Sequence, residues 1–240
     1  MKKNRHIVLL VFVAVIILVT GINEAFDLVQ CNMRRDYKTM EDRNIQNIKD
    51  KIADLEKEEL KDVMTTRRLS EQYSLIGRIY LDRKLWDQGI DAYLSAEKYG
   101  RTGEDLYYAL GLGYANRGYD RGSEEDFAKA EEYYRKALEK NPAYDDAIYG
   151  LAILLYYHRN GRDEALRLVT ELATRNSSYY GARFAMARMH YENGDAGKAL
   201  QIYQQLQQDL DRLPDSGVVN NYRAQCAENI AIINSGMAPN

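Results

Sequence analysis

Residues Leu106–Pro142 read LYYALGLGYANRGYDRGSEEDFAKAEEYYRKALEKNP, and their periodicity decides the fold. The first half sets Tyr107, Leu110, Gly111 and Tyr114 at helical spacing. The second half sets Ala130, Tyr134 and Ala137 at the same spacing and stops at Asn141-Pro142. Both apolar stripes mix large with small side chains. Gly111, Ala130 and Ala137 therefore mark where two antiparallel helices approach closely, and the tyrosines and Leu110 fill the space around them. One such hairpin cannot bury its own apolar surface. It needs similar neighbours stacked on both sides.

Those neighbours are present. Upstream, Tyr73, Ile76, Gly77 and Tyr80 repeat the first helix, and Gly89, Tyr93 and Ala96 repeat the second. Downstream, Ile148, Leu151, Ala152 and Leu155 are followed by Ala165, Val169 and Leu172. A last copy has Met186, Ala187 and His190, then Ala199, Tyr203 and Leu206. This order resembles the tetratricopeptide repeat, a helix-turn-helix unit of about 34 residues. The resemblance covers roughly residues 70–212. The copy quoted first is the strongest, down to its closing Pro142. The other copies lack that proline, and the last has Arg183 where an aromatic residue is usual. About seven extra residues around Gly118–Glu125 are expected to lengthen the turn between the two helices of the quoted copy.

The resemblance implies an all-α fold, a right-handed superhelical array of helix-turn-helix repeats. The expected repeats are 70–103, 104–144, 145–179 and 180–213. After Pro214-Asp215-Ser216-Gly217, the stretch 214–235 places Val219, Tyr222, Cys226, Ile230 and Ile233 on one side. It is expected to be a helix capping the open end of the array, with 236–240 as a tail. Turn chemistry agrees with the hairpins. Asn160-Gly161-Arg162-Asp163 and Asn193-Gly194-Asp195 supply Gly or Asn where a helix ends and Asp where the next begins. Asn176-Ser177-Ser178 matches a glycosylation acceptor, but Asn and Ser between helices are also common caps.

The amino terminus is different. Basic Met1–His6 precedes the apolar run IVLLVFVAVIILVTGI, residues 7–22. As a helix this run spans about 24 Å, near the lower limit for crossing a membrane. It is expected to be a single transmembrane helix within residues 1–23; a cleaved export signal has the same layout. The basic start orients the rest of the chain away from the cytoplasm. In a bacterium this means an inner-membrane, single-pass protein facing the periplasm, or a periplasmic or secreted one after cleavage. Cys31 follows Gln30, which departs from the small residue of a lipoprotein processing site. Cys31 and Cys226 are expected to remain unpaired thiols. Residues 24–69 form a charged helical connector, in which Ile45, Ile48, Ile52 and Leu55 make one stripe and Leu60, Val63 and Met64 a shifted one. Two heptads are too few for a sustained coiled coil, so self-association through this segment is possible but not favoured.

Net charge is -3, which argues against a nucleic-acid partner. The only histidines are His6, His158 and His190, without the clustered Cys or His of a metal site. Gly111-Leu112-Gly113 lies inside a helical pattern and not after a strand, so it is no phosphate loop. No nucleophile stands beside a base. No enzyme activity, cofactor or metal is expected.

In the family resembled, the first helix of each repeat lines a concave groove. Carried over, the groove includes Arg78, Tyr108, Asn116, Tyr149, Tyr156, Tyr157, Phe184, Arg188 and Tyr191, with Ser74, Asp82, Leu112, Ile153 and Glu192 beside them. Ser74 and Arg78 stand where the chaperone-binding members of the family carry Lys and Asn, so that specificity is not implied. The resemblance implies a membrane-anchored scaffold that grips a protein or peptide partner in its tyrosine-rich groove. Its expected setting is envelope assembly, secretion or quality control. A carrier of a small or apolar ligand and a self-associating array are the alternatives.

Overall fold

The structure, a computed structural model, describes residues 42–58 and 62–236. The expected membrane segment at 7–22 and Cys31 lie outside the described residues. Among the described residues, no helix is long and apolar enough to cross a membrane. The chain divides into two units, 1–60 and 61–240.

In the first unit the chain is helical from 42 through 56. Ile45, Ile48 and Ile52 are buried and Leu55 half-buried, so the first expected stripe is one face of this helix. Of the shifted stripe, Leu60 lies outside the described residues. Val63 and Met64 belong to the next unit and stand 84% and 57% exposed.

The second unit is helical throughout its described elements: α1 (Val63–Asp82), α2 (Trp86–Lys98), α3 (Glu104–Arg121), α4 (Glu124–Lys140), α5 (Asp145–His158), α6 (Arg162–Arg175), α7 (Tyr180–Glu192), α8 (Ala196–Asp211) and α9 (Gly217–Ser235). Each helix packs on its sequence neighbours, and α1, α3 and α5 also touch in succession. The result is a solenoid of four hairpins closed by a single helix.

Local chemistry sets the helix ends. Asp62, Ser123, Asp195 and Ser216 cap α1, α4, α8 and α9, each side chain accepting from a backbone N–H in the first turn. Acidic residues crowd the first turns of α3 to α6, where they face the positive end of the helix dipole. The hairpin turns place Lys84, Asn160 and Gly194 at positive φ. Lys84, at φ 59°, does without the glycine or asparagine such a position favours.

The extra residues near Gly118 do not form a longer turn. They lengthen the helices, α3 to 18 residues and α4 to 17, and the connection shrinks to Gly122-Ser123. Gly122, at φ 65°, ends α3 with its N–H on the Gly118 carbonyl, and Ser123 starts α4. Two strong caps back to back leave nothing over for a loop.

The core follows the size order of the stripes. Tyr134 is buried with its ring pressed between two inner helices. A Cβ added at Gly111 would lie 2.7 Å from one edge of that ring, and a Cβ at Gly150 would lie 2.8 Å from its far end. Tyr93 meets Gly77 in the same way one repeat earlier. At the carboxyl end, Cys226 of α9 is fully buried against Tyr203, Leu206 and Leu210 of α8, with Val219, Tyr222, Ile230 and Ile233 packed around them. The helix covers the open end of the array, as its apolar side requires. Burial pushes the Cys226 thiol up to about 11.

Ion clusters tie the hairpins together. Arg117 donates to both oxygens of buried Asp126, at 2.9 and 2.6 Å, and to Asp87 at 2.9 Å, joining α2, α3 and α4. Arg183 donates to Asp209 at 2.7 Å, joining α7 to α8. This contact explains the arginine at an aromatic position. Its guanidinium closes the last hairpin where the Tyr73 and Tyr107 rings do so in the first two.

Candidate functional site

The first helices of the hairpins leave two depressions side by side. One, of about 310 Å³, lies between α3 and α5. Tyr108, Leu112 and Asn116 form one wall, Asp146, Tyr149 and Ile153 the other, and Tyr134 of α4 lies at the bottom. His158 closes one end, its ring flat against Phe127 at 4.1 Å. The second, of about 370 Å³, lies between α5, α7 and α9. It is lined by Tyr157, Phe184, Arg188, Tyr222 and Gln225, together with Tyr149 and Ile153 again. Tyr149 and Ile153 line both, so the two depressions adjoin across α5 on the face of the inner helices.

Its side chains are held in place from behind. Tyr108 packs edge-on against Tyr144 at 5.5 Å, and burial followed by the nearby Asp146 charge pushes its hydroxyl up to about 12. Tyr149 lies 5.5 Å from the Tyr179 ring, and the Tyr179 hydroxyl donates to Asp146 at 2.8 Å. Burial, followed by that hydrogen bond, raises the Tyr179 hydroxyl as well. Phe184 sits between Tyr203 and Tyr222, with ring centres 5.2 and 6.3 Å away. The Asn116 amide donates to the Leu112 carbonyl at 2.8 Å. Arg188 donates to Glu192 at 2.7 Å and lies over the Tyr157 ring at 5.7 Å, while the Tyr157 hydroxyl donates to the same carboxylate at 3.2 Å.

Of the residues assigned to the groove from sequence, Tyr108, Asn116, Tyr149, Tyr157, Phe184 and Arg188 line it. Arg78 is exposed and Tyr191 half-buried, and neither lines either depression. Tyr156 is corrected from groove residue to core residue. It is 3% exposed, and its hydroxyl donates to the Met189 carbonyl at 3.2 Å and lies 3.0 Å from the Asn193 side-chain oxygen. Its neighbour Tyr157, about 100° further round the helix, is 41% exposed. The sequence assignment missed Asp146, Asn221, Tyr222 and Gln225. The last three come from α9, so the helix that closes the array also builds a wall of the groove. Among the described residues, no group of three or more His, Cys, Asp or Glu is placed to hold a metal ion.

No protein-family model matches the sequence, and no curated protein matches it. Solved structures do match. A thermophilic tetratricopeptide-repeat protein from Thermus thermophilus superposes with a TM-score of 0.56 at 16% identity, over 70% of this chain and 89% of that one. Pseudomonas aeruginosa pilF gives 0.53 at 16% identity, over 73% and 79%. YrrB, described as a tetratricopeptide-repeat protein with an unusual peptide-binding site, gives 0.51 at 18% identity, over 68% and 81%. The solenoid is thus of the tetratricopeptide-repeat kind. At these identities the likeness concerns the fold.

Proposed function

We propose that this chain is a non-enzymatic interaction scaffold that holds a protein or peptide partner in the groove across α3, α5, α7 and α9. The adjacency of the two depressions across Tyr149 and Ile153 carries this conclusion. An extended peptide needs a contact surface longer than one repeat, and here the two depressions together span three hairpins and the closing helix. Aromatic faces along it offer large contact area at low conformational cost. The peptide-binding site of YrrB, on a solenoid of the same kind, supports the assignment. The apolar run at 7–22 with its basic flank fits a single-span anchor that leaves the array in the periplasm of a bacterium, serving envelope assembly, secretion or quality control.

A photocrosslinking amino acid at position 157 tests the groove in cells, because Tyr157 is exposed on its wall while Tyr156 is not. One dominant protein adduct, lost when Arg188→Glu is added, is the expected result. Protein adducts unaffected by changes at Tyr149 or Arg188 would move the binding face elsewhere. Carbonate extraction of membranes tests the anchor: full-length protein stays in the pellet, and release of a shortened chain would show cleavage instead.

A further inference from the structure

Asp145 and Asp146 are consecutive in the first turn of α5, yet the fold uses them differently. Asp145 turns toward α6 and is held by Arg175 and by the Asn176 amide at 2.7 Å. Asp146 turns into the groove and lines the slot between α3 and α5. It accepts a hydrogen bond from the Tyr179 hydroxyl. A carboxylate offers about four acceptor positions, and the Tyr179 hydroxyl takes one of them. Among the described residues, no lysine or arginine lines that slot. Tyr108 and Tyr149 stand in its walls, with Tyr134 below. The neighbouring depression is the opposite case: its cation, Arg188, is already matched by Glu192 within the same helix.

A lone carboxylate at the edge of an aromatic slot is poorly matched to an apolar or acidic guest. It suits a cation, which gains the ion pair and the negative faces of the rings at once. We propose that this slot takes a lysine or arginine side chain of the bound peptide, with Asp146 as counter-charge and Tyr108 and Tyr149 as walls. The proposal rests on the groove being the binding face, and it adds a specificity to it. Asp146 also faces the positive end of the α5 dipole, a role Asp145 shares. The dipole explains a negative charge at this turn, and the aromatic enclosure is what makes Asp146 the one suited to a guest.

The test uses the full-length chain in detergent and a library of resin-bound random heptapeptides, N-acetylated so that Lys and Arg side chains carry the strong positive charges. Retained beads are sequenced. The expected result is enrichment of Lys or Arg at one position of the retained peptides. Asp146→Asn keeps an acceptor for the Tyr179 hydroxyl and should weaken binding of the best peptide about tenfold. Replacing the enriched cation by norleucine should cost the wild type a similar factor and cost Asp146→Asn little, since the two changes remove one contact. Retained peptides without cation enrichment, or a cation preference undiminished in Asp146→Asn, would overturn the proposal while leaving the groove intact. The norleucine exchange on the wild-type chain decides the matter even if the variant folds poorly. Retention of no peptide would overturn the groove as binding face and this inference with it.

Discussion

Replacing Gly111 by alanine sets two effects of opposite sign against each other. In an exposed helix the change stabilises by about 1 kcal/mol, because alanine is the better helix former. Gly111 lies in the middle of α3, where a Cβ would stand 2.7 and 2.8 Å from ring carbons of Tyr134. The ring has nowhere to retreat. Its far end is pressed on Gly150, whose own Cβ would come within 2.8 Å of it, and the side chain is 2% exposed. Overpacking a closed site costs roughly 1–3 kcal/mol, and confinement from two helices puts this case in the upper part of that range. The expected net effect is a loss of about 1–2 kcal/mol, or roughly 2–8 °C in Tm for a domain of this size. Thermal melts of the full-length chain followed by circular dichroism measure it. Midpoints are the quantity to compare, since a repeat array need not unfold in one step. Gly197→Ala is the internal control. It lies in the first turn of α8 with open space around its Cβ, so it should be neutral or stabilising. In a Tyr134→Leu background the penalty at Gly111 should largely vanish, giving a coupling of about 1–2 kcal/mol. If Gly111→Ala raised the midpoint as Gly197→Ala does, the clamped ring would be the wrong account of how α3, α4 and α5 pack.

Three further outcomes follow from the same packing. Hydrogen bonds from Arg117 hold the Asp126 carboxyl below the ordinary range, so its stabilisation is complete above about pH 5 and fades as pH falls through the depressed folded value. Asp126→Asn should cost about 1–3 kcal/mol near neutral pH, with Asp87 still pairing Arg117, and melts at decreasing pH should show the gap to wild type closing below about pH 4. The Tyr203 hydroxyl is buried without a partner among the described residues, so Tyr203→Phe should leave Tm unchanged or raise it by the equivalent of up to about 1 kcal/mol; a clear drop would show a partner for that oxygen. Tyr156→Phe removes the bridge to Met189 and Asn193 and should cost about 1 kcal/mol in stability, whereas Tyr157→Phe should barely move the melt, since its bond to Glu192 is exposed.

How much of this was visible in the sequence depends on how local each determinant is. The hairpins were legible because their instruction is a size order repeated at helical spacing: Gly111 with Tyr134, Gly77 with Tyr93. The closing helix was legible from Val219, Tyr222, Cys226, Ile230 and Ile233 for the same reason. The lengthened α3 and α4 depart from the longer turn expected from the repeat spacing, although Gly122-Ser123-Glu124-Glu125-Asp126 carries a complete stop and start: a left-handed glycine, a serine cap and three first-turn acids. Tyr156 also had its signal. Ala152, Leu155 and Tyr156 stand at i, i+3 and i+4 in the buried stripe of α5, and of the two tyrosines it is Tyr157 that falls off it. What no local pattern could supply is the second face of α9. Asn221 and Gln225 became a groove wall because α9 faces the same depression as α7 and α5, a relation the sequence does not encode as periodicity. Asp146 was hidden for a related reason. An acid in a first turn is already explained by the helix dipole, so its second role emerges only when Tyr108 and Tyr149 are seen around it.

This double use of side chains decides which substitutions can report on binding. Tyr149 and Phe184 stack on Tyr179 and on Tyr203 and Tyr222, so trimming either one loosens the joint between repeats as well as the groove wall. A binding loss from alanine at those sites is ambiguous, because a displaced neighbour could produce it. Tyr108 has the same drawback through Tyr144 and Tyr134. Asp146 and Tyr157 are the informative positions. Asparagine at 146 retains the acceptor that Tyr179 needs while removing the charge. Phenylalanine at 157 retains the ring under Arg188 while removing only a hydroxyl whose bond is exposed. Changes in partner affinity at these two sites, with the melting midpoint unmoved, therefore measure recognition itself, and the aromatic stacks that build the groove should be left in place while it is measured.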